Sequence, residues 1–71
     1  MSIIKVIEVM ANSTKSWEDA TQNAVHHASK SLHNIRSVWI QEQSAVVNEN
    51  KVIEFRVNAK ISFEIDLTEN K

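Results

Sequence analysis

KVIEFRVNAKISFEIDL, from Lys51 to Leu67, is the longest regular pattern in the chain. Phe55, Val57, Ala59, Ile61, Phe63, Ile65 and Leu67 fall on one parity; Glu54, Arg56, Asn58, Lys60, Ser62, Glu64 and Asp66 fall on the other. Successive side chains of a strand point to opposite faces of its sheet, so the stretch predicts one long strand with an apolar and a polar face. The polar parity carries both charge signs along its whole length. It is either a solvated face or a surface that meets other copies of the chain.

Asn48-Glu49-Asn50, just before this stretch, predicts a hairpin in which asparagine supplies the backbone angles that glycine would normally give. Arg36–Val47 (RSVWIQEQSAVV) predicts the strand on its other side. There Val38, Ile40 and Glu42 share one parity, and Ser37, Trp39, Gln41 and Gln43 the other. Further upstream, Trp17, Ala20, Ala24, Val25, Ala28, Leu32 and Ile35 recur at spacings of three and four. That predicts an amphipathic helix of roughly 18 residues ending near Asn34. Ser16 is placed to cap it, and Glu18 and Asp19 sit where they favour the helix dipole. The buried stripe is mostly alanine, which lets the helix lie close to a sheet. Asp19, Gln22, Asn23, His26, His27, Lys30 and His33 form its polar face. Ile3–Met10 (IIKVIEVM) is rich in β-branched residues and predicts a first strand, apolar on both faces. ANSTK, residues 11–15, is expected to be a polar connection, and Thr68–Lys71 a frayed tail. The fold class is therefore α+β in the order β-α-β-β, one domain over residues 1–71, an antiparallel sheet with the last strand between the other two. The helix covers one sheet face; the other, carrying Trp39, stays open.

Composition narrows the function. A chain of 71 residues buries only about 60% of its unfolded surface, so oligomerisation is a common supplement. Eight basic against nine acidic residues give a net charge of −1, which argues against a general nucleic-acid role. No apolar run approaches the ~20 residues of a membrane span, so no membrane partner is expected and a cytoplasmic protein is. With no cysteine, thiolate metal sites and thiol nucleophiles are excluded. With no glycine, so are the Gly-rich phosphate loops. The Ser and His residues show no nucleophile–base arrangement and no acid pair stands isolated in an apolar context, so an enzyme is not expected.

KVIEV near the start, SWEDATQNAV opening the helix, and NIRSVWIQEQ followed by a hairpin and a long strand resemble the dodecin family over about Ile3 to Asp66. The resemblance implies a non-enzymatic hollow dodecamer in which each sheet wraps its own helix. It also implies small ligands at subunit interfaces, often flavins such as riboflavin or FMN. Flavin-binding members stack the ring on a tryptophan early in the second strand and hydrogen-bond its edge with a glutamine early in the third. Counted without gaps, those positions are Ser37 and Arg56 here, so both contacts are replaced. Trp39 lies two residues further along, on the same face and roughly 7 Å away. Loss of an aromatic platform forgoes about 1–3 kcal/mol per stacked ring, which argues against flavin binding in the usual mode.

The candidate ligand residues at the subunit interface are accordingly Ser37, Trp39, Gln43 and Arg56. Trp39 is either a shifted platform or an interface packing residue. Arg56 either pairs an anionic ligand or forms an ion pair between subunits. Trp17, on the apolar stripe, is expected in the core. No His pair stands at i,i+4, so a helical zinc site is not indicated. Glu8, Glu42, Glu54 and Glu64 could instead converge from several copies into an oxygen site for calcium, as the resemblance also allows.

Overall fold

The computed structural model describes residues 2–66. Four elements follow one another: β1 (Ser2–Ser13), α1 (Trp17–Ala28), β2 (Ile35–Asn48) and β3 (Lys51–Asp66). The sheet order is β1-β3-β2, with β3 antiparallel to both neighbours. Leu67 and the Thr68–Lys71 tail lie outside the described residues.

The alternation of β3 organises the packing as expected. Val57, Ala59 and Ile61 are buried on the helix side, opposite a helix stripe of Ala20, Ala24 and Ala28. Small side chains on the helix bring its backbone close to the sheet. Ile7, Val9, Ala11, Leu32, Ile35 and Val38 close the margins of this thin core. Trp17 is half-buried rather than fully buried. Its ring stands edge-on to Phe55 at 4.9 Å, and its Nε1 donates to the Ser44 carbonyl at 2.8 Å, pinning the helix start to the hairpin.

The capping prediction holds in detail. Ser16 is extended (φ −170°, ψ 167°), and its Oγ accepts from the Asp19 amide at 2.9 Å. Asp19 does more than favour the dipole, because its carboxylate accepts from the Oγ of buried Ser13 at 2.6 Å. That bond ties the end of β1 to the start of α1.

Four boundaries differ from expectation. The helix ends at Ala28, not near Asn34. The Ser29 side chain donates to the His26 carbonyl, and Lys30 and Ser31 bond three residues back, which tightens the turn and stops the helix. Leu32 and Ile35 keep the helical spacing only because both fold back onto the same core. β1 runs on through Asn12 and Ser13, which pair with Arg56 and Phe55, so the expected connection is partly strand. The hairpin turn uses Glu49 (φ 52°) and Asn50 (φ 65°), while Asn48 pairs with Lys51 inside the ladder. Two consecutive residues in the left-handed region are what a two-residue hairpin of matching twist requires. Finally, the parity of β2 breaks, because its register slips past Gln41: Ile40 faces Ala59 and Glu42 faces Asn58.

Candidate functional site

The face of the sheet away from the helix is a grid set by the two registers. Reading across β1, β3 and β2, its rows are Val6–Ser62–Ser37, Glu8–Lys60–Trp39, Met10–Asn58–Glu42 and Asn12–Arg56–Ser44. Successive rows lie about 7 Å apart. Ile4, Val6 and Met10 on this face are exposed, Met10 by 74%, and Trp39 is 65% exposed. β1 is thus apolar on both sides with only one side covered.

Trp39 presents its indole to solvent with the Lys60 ammonium 5.5 Å from the ring centroid. That cation–π contact contributes about 0.5–1 kcal/mol at an exposed site, and the cation must move before that ring surface takes a flat partner. One row away, Ser37 and Ser62 share a hydrogen bond between hydroxyls at 2.5 Å. Arg36 pairs with Glu64 at 3.0 Å beside the slip that precedes Ser37.

At the far end, Glu54 Oε2 accepts from the Asn12 amide and lies 3.3 Å from Arg56 Nε. The Asn12 hydrogen bond first, and then the Arg56 guanidinium, hold the Glu54 carboxyl below its ordinary value of 4.5. A depressed carboxylate contributes stability that is present above the unfolded value and is lost as pH falls through the lower folded one. The window is therefore acidic, below about 4.5. Asn12→Ala is expected to move the Glu54 titration back up toward the ordinary value. Carbon NMR of the side-chain carboxyl reads this directly, and identical titrations in the two proteins would show that Asn12 is not the cause.

Ser37, Trp39 and Arg56 therefore share the open face, as the residue pattern predicted. Gln43 does not: beyond the slip at Gln41 it stands opposite Val57, on the helix side. Nor do Ser37 and Arg56 meet. They face rows six β3 residues apart, roughly 20 Å along the strand, further than one ring system reaches. A ligand touching both positions would take them from different copies. Glu8, Glu42, Glu54 and Glu64 all line the same face, but among the described residues no three acidic or histidine side chains converge on a point where a metal ion could sit.

Two participants were not foreseen. Asn12 falls in the stretch expected to be a connection, since asparagine is depleted in strands and nothing nearby marks it as strand. Asn58 Oδ1, between Met10 and Glu42, is buried yet finds no hydrogen-bond donor among the described residues. Among the described residues, no helix is long and apolar enough to cross a membrane.

Known proteins resemble the chain over nearly all of its described length. The family model for Dodecin matches residues 3–66. The calcium dodecin of Mycobacterium tuberculosis is 35% identical over 65 residues, covering 92% of each chain. A crystal structure described as that organism's calcium chelating immunodominant antigen, calcium dodecin, superposes with a TM-score of 0.78 at 33% identity, covering 90% of this chain and 91% of the other. Dodecin from Streptomyces davaonensis superposes with a TM-score of 0.86 at 23% identity, covering 92% of this chain and 96% of the other. A point mutant of the T. thermophilus dodecin does so at 0.87 and 24%, covering 93% and 98%.

Proposed function

The chain belongs to the dodecin family, and from that premise we propose that it is a non-enzymatic cytoplasmic protein that assembles with copies of itself into a hollow dodecamer holding a small ligand between subunits. The observation that carries this reading is apolar surface left uncovered by the fold. The described core holds only Val57, Ile61 and four alanines, while Ile3, Ile4, Val6, Met10, Trp39, Val47, Val52 and Ile53 are exposed. The radius of gyration is 15.0 Å, where a compact chain of this length would have about 11 Å. So much exposed apolar area in so thin a molecule calls for other copies to cover it. The open face supports a ligand site at the contact: Trp39 is the flat platform, Ser37 lies beside it, and Arg56 arrives from another copy. Gln43, on the other side of the sheet, has no place in it.

A specific observation favours a second ligand class. The relative at 35% identity is a calcium dodecin. The open face also gathers hard oxygen donors in Glu8, Glu42, Glu54, Glu64 and Asn58 Oδ1, the last without a hydrogen-bond donor among the described residues. Calcium takes six to eight oxygens, and one copy brings too few together, so such a site also needs the assembly.

Light scattering on the purified protein is expected to give about twelve times the 8.1 kDa chain mass. A monomer or dimer would overturn the shell. Titration of that sample separates the ligands. Quenching of added riboflavin fluorescence at micromolar concentration supports the organic ligand, and heat released by calcium alone supports the ion.

A further inference from the structure

The cations of the open face differ in what they touch. Arg36 and Arg56 have Glu64 and Glu54 at 3.0 and 3.3 Å. Lys60 has no carboxylate within salt-bridge distance among the described residues, and its ammonium lies instead over the exposed Trp39 ring. The neighbouring row toward the start of β2, Val6–Ser62–Ser37, carries hydroxyls and no acid. Two hydroxyls that share one hydrogen bond keep one further O–H for another acceptor. Glu42 lies one row away from Trp39 in the opposite direction, and Glu8 stands beyond Lys60, two strands or about 10 Å from Trp39. An aromatic surface, a cation without a carboxylate and a hydroxyl donor therefore gather on the side of Trp39 that has no acid.

We propose that the ligand received at Trp39 is a planar aromatic anion, whose ring stacks on the indole and whose negative group lies toward the Ser37–Ser62 row and takes the Lys60 ammonium. The same lysine acts with opposite sign on two kinds of ring. A neutral ring competes with the ammonium for the indole and must displace it. An anionic ring recruits it, because the flexible four-carbon stem lets the charge move from the indole to the ligand's edge. The spacing of one row, about 7 Å, is comparable to the reach from the middle of a fused two-ring system to a group on its edge. An anion without a ring gains nothing from Trp39. This inference rests on the reading of Trp39 as a ligand platform and names the charge of the ligand.

Naphthoate and naphthamide, the same fused ring with and without a charge, are titrated by calorimetry into the purified protein. At low ionic strength naphthoate is expected to bind about five-fold or more tightly than naphthamide. Added salt should remove that advantage and leave naphthamide binding unchanged. This comparison uses the unmodified protein and stands whatever the variants do. Lys60→Met, which keeps an apolar stem, is expected to weaken naphthoate about two- to five-fold and to tighten naphthamide by a similar factor. A merely structural role for Lys60 would move both probes the same way. Trp39→Ala is expected to weaken both. Equal, salt-insensitive affinities, or shifts of one sign on Lys60→Met, overturn the charge preference alone when Trp39→Ala still weakens both probes. Probes that do not bind, or that bind equally well to Trp39→Ala, overturn the platform and this inference with it.

Discussion

Replacing Ile61 by alanine is expected to cost this fold about 2–5 kcal/mol, the range for deleting a buried branched side chain and leaving a cavity. Ile61 is fully buried and is, with Val57, the largest such side chain among the described residues. It packs in one cluster with Ala24 and Ala28, which have no atoms with which to refill the space. A domain of 71 residues has roughly 4–10 kcal/mol of stability in all. The loss is therefore a large share of the total, where a bulkier core would absorb it. Urea denaturation at fixed protomer concentration reads the effect as a lower midpoint with an unchanged slope. Ile61→Val, expected to cost about 0.5–1.5 kcal/mol, calibrates the series. An Ile61→Ala midpoint equal to that of the unmodified protein would mean that Ile61 does not anchor the core.

That core was legible in the residues because β3 alternates without interruption from Glu54 to Ile65, and each register places its neighbours from it. The helix start was equally legible, since Ser16, Glu18 and Asp19 act locally and need no tertiary information. The helix end was not. Leu32 and Ile35 keep a helical spacing after the backbone has left the helix, because contact with the core is what the spacing records. The slip at Gln41 left no trace either: without glycine in the chain, nothing in QEQS separates a bulge from regular strand. That one residue sends Gln43 to the wrong side of the sheet for a ligand beside Trp39. Glu49 in the hairpin turn is similar, since the twist of the strands imposes its left-handed angle against its own preference. The open face was legible as a surface, with Ser37, Trp39 and Arg56 on it. Which of its carboxylates could share an ion was not, because no three of them converge among the described residues of one chain.

The same geometry makes a gain of function testable. Ser37→Trp combined with Arg56→Gln is expected to raise riboflavin affinity about 5- to 150-fold, the equivalent of 1–3 kcal/mol for one stacked ring. The exposed Ser37 side chain bonds, among the described residues, to the facing Ser62 hydroxyl, so an indole there displaces little and suits a strand. It would stand one row from Trp39, about 7 Å along the strand, and lengthen the aromatic surface without the Lys60 ammonium above it. Arg56→Gln supplies an amide that can both donate and accept, and it removes a guanidinium from the Glu54 cluster; Asn12 remains to hold that carboxylate. Because Ser37 and Arg56 lie roughly 20 Å apart within one chain, the two changes act on one ligand only across a subunit contact. Ser37→Trp alone should therefore give most of the gain, and Arg56→Gln should add to it only in assembled protein. Fluorescence quenching, run with the sample above and below its assembly concentration, separates these terms. No gain from the double variant in the assembled state would mean that the ligand positions are misplaced by at least one row, or that the open faces do not meet around a ligand.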